Sequence, residues 1–235
     1  MASGKGGDLN KWSSRRVRHV TFADVASESV QQSRERYEER HKSKFSASFH
    51  VGDLTRAEPQ RWEPPLSTNL KFDVVSCQFA LHYCFESQKQ CKTFVRNAAQ
   101  NLKRGGYFFG TTIWSGKGFF CISELKDRVI NSNKPWNHNN RWKTFRKEEV
   151  VRRFREAKAH GYSKFGNDIF SVKFPAHYQD PPSIFNAVYN YQLEEQVNIE
   201  EFLVYFPVLE DICRQHGLKC EISEISIYSL KSSLL

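Results

Sequence analysis

One segment of the chain, residues 72–87, sets the tightest limits on its fold. Residues 72–77 are mostly apolar or small and predict a short buried strand. Polar and aromatic side chains follow where this strand ends: Gln78, Phe79, His82 and Tyr83. In an α/β sheet, ligands bind beyond the carboxyl ends of the strands. An amide, an imidazole and two aromatic rings at that place favour a flat nitrogen heterocycle as ligand over a sugar or a lipid.

Strand and helix patterns alternate along most of the chain. Apolar and alternating runs predict strands at 17–22, 45–51, 72–77, 107–112, 169–174, 185–191 and 219–227. Helical spacing predicts helices at 26–41, 147–160 and 198–216. A further helix begins at the capping box of Ser87 and is expected to stop at Gly105 and Gly106. This order predicts an α/β fold with a doubly wound, mostly parallel sheet.

The net charge and the cysteine spacing limit the classes of partner that the chain is expected to bind. The formal net charge of +9 favours a polyanion, nucleic acid above all, although a solvated basic surface is the alternative. No apolar run approaches the ~20 residues of a membrane span. We therefore expect no membrane partner. None of the six cysteines forms a Cys-x-x-Cys pair, so we expect no metal partner either. Residues 1–12 do not resemble a signal peptide, which leaves cytoplasm or nucleus.

Glycines and acidic residues that suit a nucleotide cofactor lie early in the chain. Gly4 and Gly6 precede a short helical pattern, where backbone groups can approach a ligand closely. Asp24 and Asp53 each follow a predicted strand, where a carboxylate can accept hydrogen bonds from a ribose or from an adenine amino group. Alternatives stay open, because the glycine run also suits a flexible tail and aspartate is common at turns.

Taken together, these segments resemble one family, the eukaryotic mRNA cap guanine-N7 methyltransferases. In chain order the resembling segments are 4–12, Asp24, 52–53, 72–87, 105–112, 165–174 and 201–207. Residues 77–83 and 201–207 are the most specific of them. The resemblance covers most of the chain outside residues 113–145.

The resemblance implies a class I, Rossmann-like fold that binds S-adenosylmethionine and methylates N7 of the guanosine cap of mRNA. The implied cofactor contacts are Gly4, Gly6 and Asp8 at the methionine part, Asp24 at the ribose, Asp53 at the adenine, and Gln78 and Tyr83 near the reacting methyl group. The implied substrate contacts are Phe79, His82, Tyr83 and Glu201. No catalytic acid or base is expected, because N7 carries a free lone pair, and proximity and orientation carry the reaction.

Each of these side chains also has a purely structural interpretation. Glu201 lies three residues after Asn198 and could cap a helix, an interpretation that we weigh evenly with the site. A hydrogen-bonded core histidine is the alternative for His82, and plain core packing is the alternative for Phe79 and Tyr83. One stripe is expected in the core alone: Phe202, Tyr205, Phe206 and Leu209.

The chain also departs from the family pattern. Only Met1, Ala2 and Ser3 precede Gly4, so the first, central strand of the sheet is expected to be missing, and the carboxyl end is expected to be truncated as well. Residues 113–145 stand where the family has a short link, either as unspliced intron sequence or as a true insertion. We therefore divide the chain into a cofactor-binding part at 1–112, an atypical insertion at 113–145, and the remainder with cap-pocket elements at 146–235.

Three functions follow as hypotheses. The first is a nuclear mRNA (guanine-N7)-methyltransferase that acts on 5′-capped nascent mRNA and meets other capping or transcription machinery. The second is a truncated, catalytically impaired form that only binds capped RNA or a capping partner. The third, a methyltransferase of small molecules, is disfavoured by the net charge and by the guanine-type pocket.

Overall fold

A computed structural model describes residues 1–112, 118–124, 164–166, 170–175, 183–193 and 197–220. The helices within these ranges are α1 Leu9–Ser14, α2 Ser27–Arg40, α3 Gln88–Gln100 and α4 Phe206–Gln215, with 3₁₀ segments at Pro59–Arg61 and Leu81–Glu86. The strands are β1 His19–Asp24, β2 Ser46–Val51, β3 Phe72–Gln78, β4 Leu102–Thr112, β5 Gly118–Glu124, β6 Lys164–Gly166, β7 Phe170–Lys173, β8 Val188–Leu193, β9 Val197–Phe202 and β10 Leu218–Cys220. Among the described helices, none has the length and apolar character that crossing a membrane requires.

The described strands form three sheets. β1 and β2 pair in parallel, and so do β3 and β4. β5 and β10 extend the second sheet as antiparallel strands, and β6 to β9 form a separate antiparallel sheet. The parallel pairs with their connecting helices confirm the expected α/β, Rossmann-like class. The sequence patterns do not predict the separate antiparallel sheet.

A gap separates the edges of β1 and β3, and no strand among the described residues fills it. The first residues of the chain cross it at one end. The amino group of Met1 donates a hydrogen bond to the carbonyl oxygen of Ser76 at 2.8 Å, and the backbone N–H of Ser3 donates to that of Ala23 at 3.1 Å. Hydrogen bonds of Met1 and Ser3 therefore connect the edges of β1 and β3 at this end.

The helix α3 begins as its sequence predicts. The hydroxyl of Ser87 accepts a hydrogen bond from the backbone N–H of Gln90 at 3.3 Å, and it also lies 2.8 Å from the side-chain oxygen of Gln90. The cap satisfies one of the N–H groups that a helix start leaves unpaired. α3 then packs its apolar face, with Phe94 buried, against β4 and α4.

The expected role of Gly105 and Gly106 as a helix stop is wrong. α3 ends at Gln100, and β4 runs through both glycines. The pairing of β4 with β3 shifts there from Phe72–Leu102 to Val74–Tyr107, which is a bulge. Gly105 has a φ of +75°, and a Cβ on Gly106 would lie 3.0 Å from the carbonyl oxygen of Asp73. The glycines therefore permit a close approach between two strands.

The predicted helix at 198–216 is correct only in its second half. Residues 197–202 form β9, paired with β8, and the helix α4 begins at Phe206. Pro207 explains the boundary, because proline lacks an N–H and is tolerated in the first turn of a helix but not in its interior. α4 ends before Gly217, as expected, with a φ of +76° at that glycine.

Several expectations fall outside the described residues. They include the helix at 147–160, the end of the strand at 219–227, and most of the insertion at 113–145. Within that insertion the structure describes β5, which pairs with β4.

Three apolar clusters lie among the described elements, and the smallest, Phe174 with Tyr189, belongs to the antiparallel sheet. The largest one lies between β3, β4, α3 and α4 and includes Phe85, Phe94, Phe108 and Leu209, all nearly or fully buried. Leu209 thus lies in the core as expected, and the other members of its stripe pack against the same cluster. The second cluster joins α2 to β1 and β2. Four cysteines are buried free thiols: Cys77, Cys84, Cys91 and Cys213.

Candidate functional site

The carboxyl end of β3 carries a strained aromatic residue. Phe79 has a φ of +53°, a left-handed conformation that bulky residues rarely adopt, and its side chain is 61% exposed. Its backbone N–H donates to the carbonyl oxygen of Thr111 at 2.7 Å, which ties the turn to β4. The neighbouring Gln78 accepts a hydrogen bond from the hydroxyl of Thr111 at 3.0 Å. Strained backbone conformations cluster at functional sites, and the exposure of the ring contradicts core packing for Phe79.

The 3₁₀ segment Leu81–Glu86 places His82 inside the protein. Its imidazole is fully buried, with Nδ1 3.5 Å from the hydroxyl of Thr112. The ring of Tyr83 lies beside it, with ring centroids 4.2 Å apart. Tyr83 is half-buried, so it forms the outer part of this pair.

Glu201 reaches the same place from the antiparallel sheet. It lies on β9, opposite Tyr189 of β8, and β9 packs against the Leu81–Glu86 segment. The side chain of Glu201 is buried, and its Oε2 accepts a hydrogen bond from the hydroxyl of Tyr189 at 2.6 Å. Its Oε1 lies 3.4 Å from Nε2 of His82. We call these residues, together with Tyr83, the Glu201 cluster.

Burial sets the electrostatics of the Glu201 cluster. Loss of water lowers the pKa of His82 to about 4, so the imidazole is neutral at pH 7 and forms no ion pair with Glu201 despite their proximity. Nε2 of His82 has no hydrogen-bond partner among the described residues. Burial raises the pKa of Glu201, and the hydrogen bond from Tyr189 partly opposes this. Burial, and secondarily the charge of Glu201, raises the pKa values of Tyr83 and Tyr189.

Tyr189 is the site residue that sequence reasoning missed. The sequence analysis predicted only a strand at 185–191, and the structure places Tyr189 on β8. The pairing register of β8 with β9 puts it opposite Glu201, and no local pattern reveals that register. The helix-cap interpretation of Glu201 is wrong for a related reason, because the residue lies on a strand.

The glycine turn and the first aspartate come together at the end of β1. The backbone N–H of Gly4 donates to Oδ2 of Asp24 at 2.7 Å, and the N–H of Ala26 donates to Oδ1 at 3.0 Å. Gly6 has a φ of +76°, and a Cβ there would lie 2.6 Å from the hydroxyl of Ser33. The turn therefore needs glycine at that position and presents its backbone at the carboxyl edge of the sheet.

Asp8 and Asp53 make local contacts at the same edge. Asp8 forms an ion pair with Lys11 at 2.6 Å, one turn along the chain. Asp53 follows β2, and one of its oxygens accepts hydrogen bonds from the N–H and the hydroxyl of Thr55. The N–H of Gly52 donates to the carbonyl oxygen of Asp24 at 2.9 Å, which places the turns after β1 and β2 side by side.

A cavity of about 860 Å³ joins several of the predicted cofactor residues. Gly4, Asp8 and Gln78 line it, together with Phe79. Its other walls include the facing edges of β1 and β3, Trp62 and Leu66 of the loop after β2, and Asn97 of α3, so the cavity includes the gap between the two strands. Asp24 and Asp53 are not among the lining residues, and the Glu201 cluster lies outside the cavity. Within the described part of the chain, no group of His, Cys, Asp or Glu side chains could hold a metal ion.

The burial of His82 predicts a pH dependence of stability. A histidine whose pKa falls from 6.5 to about 4 on folding binds fewer protons in the folded state. Its contribution to the free energy of unfolding is therefore present above pH 6.5 and is lost as the pH falls toward 4, by about 3 kcal/mol. The measurement is urea unfolding of wild type and of His82→Asn between pH 4 and 7.5. The free energy of unfolding of wild type minus that of the variant should fall by this amount as the pH is lowered. The raised pKa of Glu201 acts in the opposite sense, but Glu201 titrates in both proteins.

Parallel stability curves for the two proteins would contradict this assignment. A difference that grew as the pH fell would show that His82 is charged in the folded protein.

Comparisons with known proteins show which family the chain resembles. The family model of the mRNA (guanine-N(7))-methyltransferase domain matches residues 1–137 and 143–229. The mRNA cap guanine-N(7) methyltransferase of Drosophila melanogaster is 35% identical over 228 residues, which cover 93% of this chain and 45% of that protein. The protein of that name from Caenorhabditis briggsae is 33% identical over 225 residues, covering 93% and 50%. The chain therefore spans about half the length of the relatives it matches.

A solved structure supports the fold alone. The PH0226 protein from Pyrococcus horikoshii OT3 superposes with a TM-score of 0.51 at 13% identity, covering 91% of this chain and 69% of that one. The family model extends across the glycine turn, the end of β3 and the strand that carries Glu201. On that match along nearly its whole length, the chain belongs to the mRNA (guanine-N(7))-methyltransferase family.

Proposed function

We propose that this chain binds S-adenosylmethionine and transfers its methyl group to N7 of the guanosine cap of mRNA. The observation that supports this most strongly is the buried carboxylate of Glu201, held by Tyr189 and faced by a neutral His82. Its relatives are named for this activity. We include in the proposal a 5′-capped nascent mRNA as substrate, a nuclear location, other capping or transcription machinery as partners, and the division of the chain at 113–145.

Guanine recognition follows from the unequal environments of the two Glu201 oxygens. Oε2 accepts the hydrogen bond from Tyr189, whereas Oε1 accepts none from the described residues. The N1–H and the amino group of guanine form an edge of two donors that a carboxylate can accept. Since a desolvated carboxylate is costly until it is hydrogen-bonded, guanine would stabilise the ionised form of Glu201. Adenine lacks this edge, and sites built on such hydrogen bonds reject analogues by factors up to about 10⁴–10⁵.

Methyl transfer requires the protein to orient the two reactants and to stabilise the charge that develops on the purine. S-adenosylmethionine supplies a methyl group bonded to a cationic sulfur. Guanine N7 has a free lone pair, so no side chain must remove a proton. The purine becomes cationic as the new bond forms, and the Glu201 carboxylate stabilises that charge. A neutral His82 does not repel it, and near-attack alignment can supply roughly 7–11 kcal/mol of the barrier.

The cofactor would be held at the carboxyl edge of β1 to β3. At its carboxyl end, the gap between β1 and β3 has Gly4 and Asp8 on one side and Gln78 on the other, which suits a ligand that spans these turns. Asp24 braces the turn through the N–H of Gly4 and keeps lone pairs for ribose hydroxyls. Asp53 is held in place by Thr55, beside that turn, at the proposed adenine end.

Asp24→Asn is expected to weaken the binding of S-adenosylmethionine about 10–100-fold, because charge-assisted hydrogen bonds contribute about 1.5–3 kcal/mol each. The amide keeps one acceptor but turns an NH₂ group toward the N–H of Gly4 or of Ala26. Calorimetric titration measures the dissociation constant. Asp211→Asn, an exposed aspartate on α4, is the matched control and should bind like wild type. Equal affinity for Asp24→Asn and the control would remove Asp24 from the cofactor site.

A transfer assay with a radioactive methyl donor tests the function itself. Transcripts that begin with GpppG, with ApppG or with already methylated m7GpppG are compared as substrates. We expect label only on the first, recovered at N7 of the cap. Equal labelling of ApppG ends, or no label on GpppG ends, would overturn the proposal.

A further inference from the structure

A second concave surface lies on the flank of the α3 helix. It is a cleft of about 680 Å³ between the loop after β2, the first turns of α3 and the end of α4. We call it the basic cleft, and the residues that line it are Arg56, Glu58, Arg61, Gln88, Lys89, Lys92, Thr93, Arg96, Gln215 and His216. None of the predicted cofactor or cap residues belongs to it.

The basic cleft carries an excess of positive charge. Five of its side chains are cationic, and Glu58 is its only carboxylate. Arg96 pairs with Glu58 at 3.2 Å, whereas Arg61, Lys89 and Lys92 have no ion pair within the described ranges. The pKa of His216 is lowered, first by burial and then by the charges of Arg96 and Lys92, which shows that the positive field reaches across the cleft.

The basic cleft is close to the Glu201 cluster. Arg56 at its border binds Glu86 at 3.2 Å, and Glu86 ends the 3₁₀ segment that carries His82. A 3₁₀ helix rises about 2 Å per residue, so the four residues from His82 to Glu86 span roughly 8 Å. The border of the cleft at Arg56 is therefore joined to the Glu201 cluster by a segment of roughly 8 Å, a distance that a few nucleotides of RNA can span.

The lining chemistry suits a phosphate backbone rather than bases. The cleft contains no Phe, Tyr or Trp on which bases could stack. Besides its cations it offers the side chains of Gln88, Thr93 and Gln215, which can donate hydrogen bonds to phosphate or sugar oxygens. Such a surface binds RNA without reading its sequence.

We propose that the basic cleft binds the phosphate backbone of the RNA that follows the cap, and so extends the substrate site beyond the guanosine. This inference rests on the proposed function for the identity of the RNA. An acidic protein segment would meet the same charges, but the short path to the Glu201 cluster favours the substrate's own chain.

The test compares two triple variants that remove the same charge. The cleft variant is Arg61→Gln, Lys89→Gln and Lys92→Gln. The control variant is Arg40→Gln, Lys42→Gln and Lys44→Gln, three exposed cations around the end of α2. Fluorescence anisotropy measures the binding of a GpppG-capped RNA of about 20 nucleotides at several salt concentrations. Methylation of the free dinucleotide GpppG is measured in parallel.

We expect the cleft variant to bind the capped RNA about 10–100-fold more weakly and its salt slope to fall by about 2, the value for three lost contacts to single-stranded phosphates. Methylation of GpppG should stay unchanged, and the control variant should match wild type in both measurements. RNA sequence should have no effect on either.

Other outcomes overturn the inference in recognisable ways. Equal losses in the cleft and control variants would mean that net charge alone attracts RNA. An unchanged RNA affinity would remove RNA from the cleft, and tighter binding of a poly-glutamate peptide of equal charge would assign the cleft to an acidic protein. If wild type fails to methylate GpppG while the cleft variant still loses RNA binding, the proposed function fails and the RNA site stands.

Discussion

Glu201→Gln is expected to lower kcat/KM for methylation of GpppG-capped RNA about 10²–10³-fold, while the affinity for S-adenosylmethionine stays within about twofold. Glutamine keeps the shape of the side chain and can still accept the hydrogen bond from Tyr189. It loses the negative charge that would stabilise the cationic purine, and its NH₂ group would face the donors of guanine. Steady-state kinetics with the capped RNA and calorimetry with the cofactor measure the two quantities.

Glu200→Gln is the matched control for this variant. Glu200 precedes Glu201 on β9 but is exposed, so its charge lies outside the Glu201 cluster. Full activity of the control with loss in Glu201→Gln supports the assigned role. A Glu201→Gln protein that methylates at the wild-type rate would remove the carboxylate from guanine recognition.

Phe79→Gly is expected to stabilise the protein while it impairs methylation. The left-handed φ of +53° costs a bulky residue about 1–2 kcal/mol and costs glycine almost nothing. Glycine is more flexible in the unfolded state, which lowers the stability of the folded protein by about 0.5–1 kcal/mol. We therefore expect a net increase near 0.5–1 kcal/mol in the free energy of unfolding. Loss of the exposed ring should raise KM for the capped RNA and lower kcat/KM about 10–100-fold.

Urea unfolding and steady-state kinetics on the same preparation check both parts. Asn186→Gly is the control, because Asn186 also has a positive φ of +58° and is exposed. Asparagine tolerates that conformation, so this change should alter neither stability nor activity much. A Phe79→Gly protein that is less stable than wild type would contradict the assigned backbone strain, and one that methylates normally would remove the ring from the substrate site.

The relation between sequence and structure is clearest at β3 and its following turn. The apolar run predicted the strand, which is observed at Phe72–Gln78, and the polar and aromatic residues that follow it lie at its carboxyl end. The left-handed backbone at Phe79 was beyond prediction, because only the hydrogen bond to Thr111 and the neighbouring strand hold a bulky residue in that conformation. The exposure of its ring depends on the same contacts.

Glu201 shows the opposite case, because the helix that the sequence predicted for it is wrong. Its motif pointed to the site, yet helical spacing put it on a helix because Phe202 and Tyr205 also recur at three residues. Pairing with β8 outweighs that local spacing. The partner Tyr189 stayed unpredicted, since only the register of two strands places its hydroxyl against the carboxylate.

The sequence alone determined the α/β class and the turns at Gly4, Asp24 and Gln78, and it named the candidate site residues other than Tyr189. Strands, caps and glycine turns depend on residues close together in the chain. Only the tertiary structure decided how Glu201, Tyr189 and His82 meet, that His82 is neutral, and that unpaired cations gather beside α3. Those features depend on burial and on pairing between distant segments, and water exclusion and strand register are properties of the packed molecule.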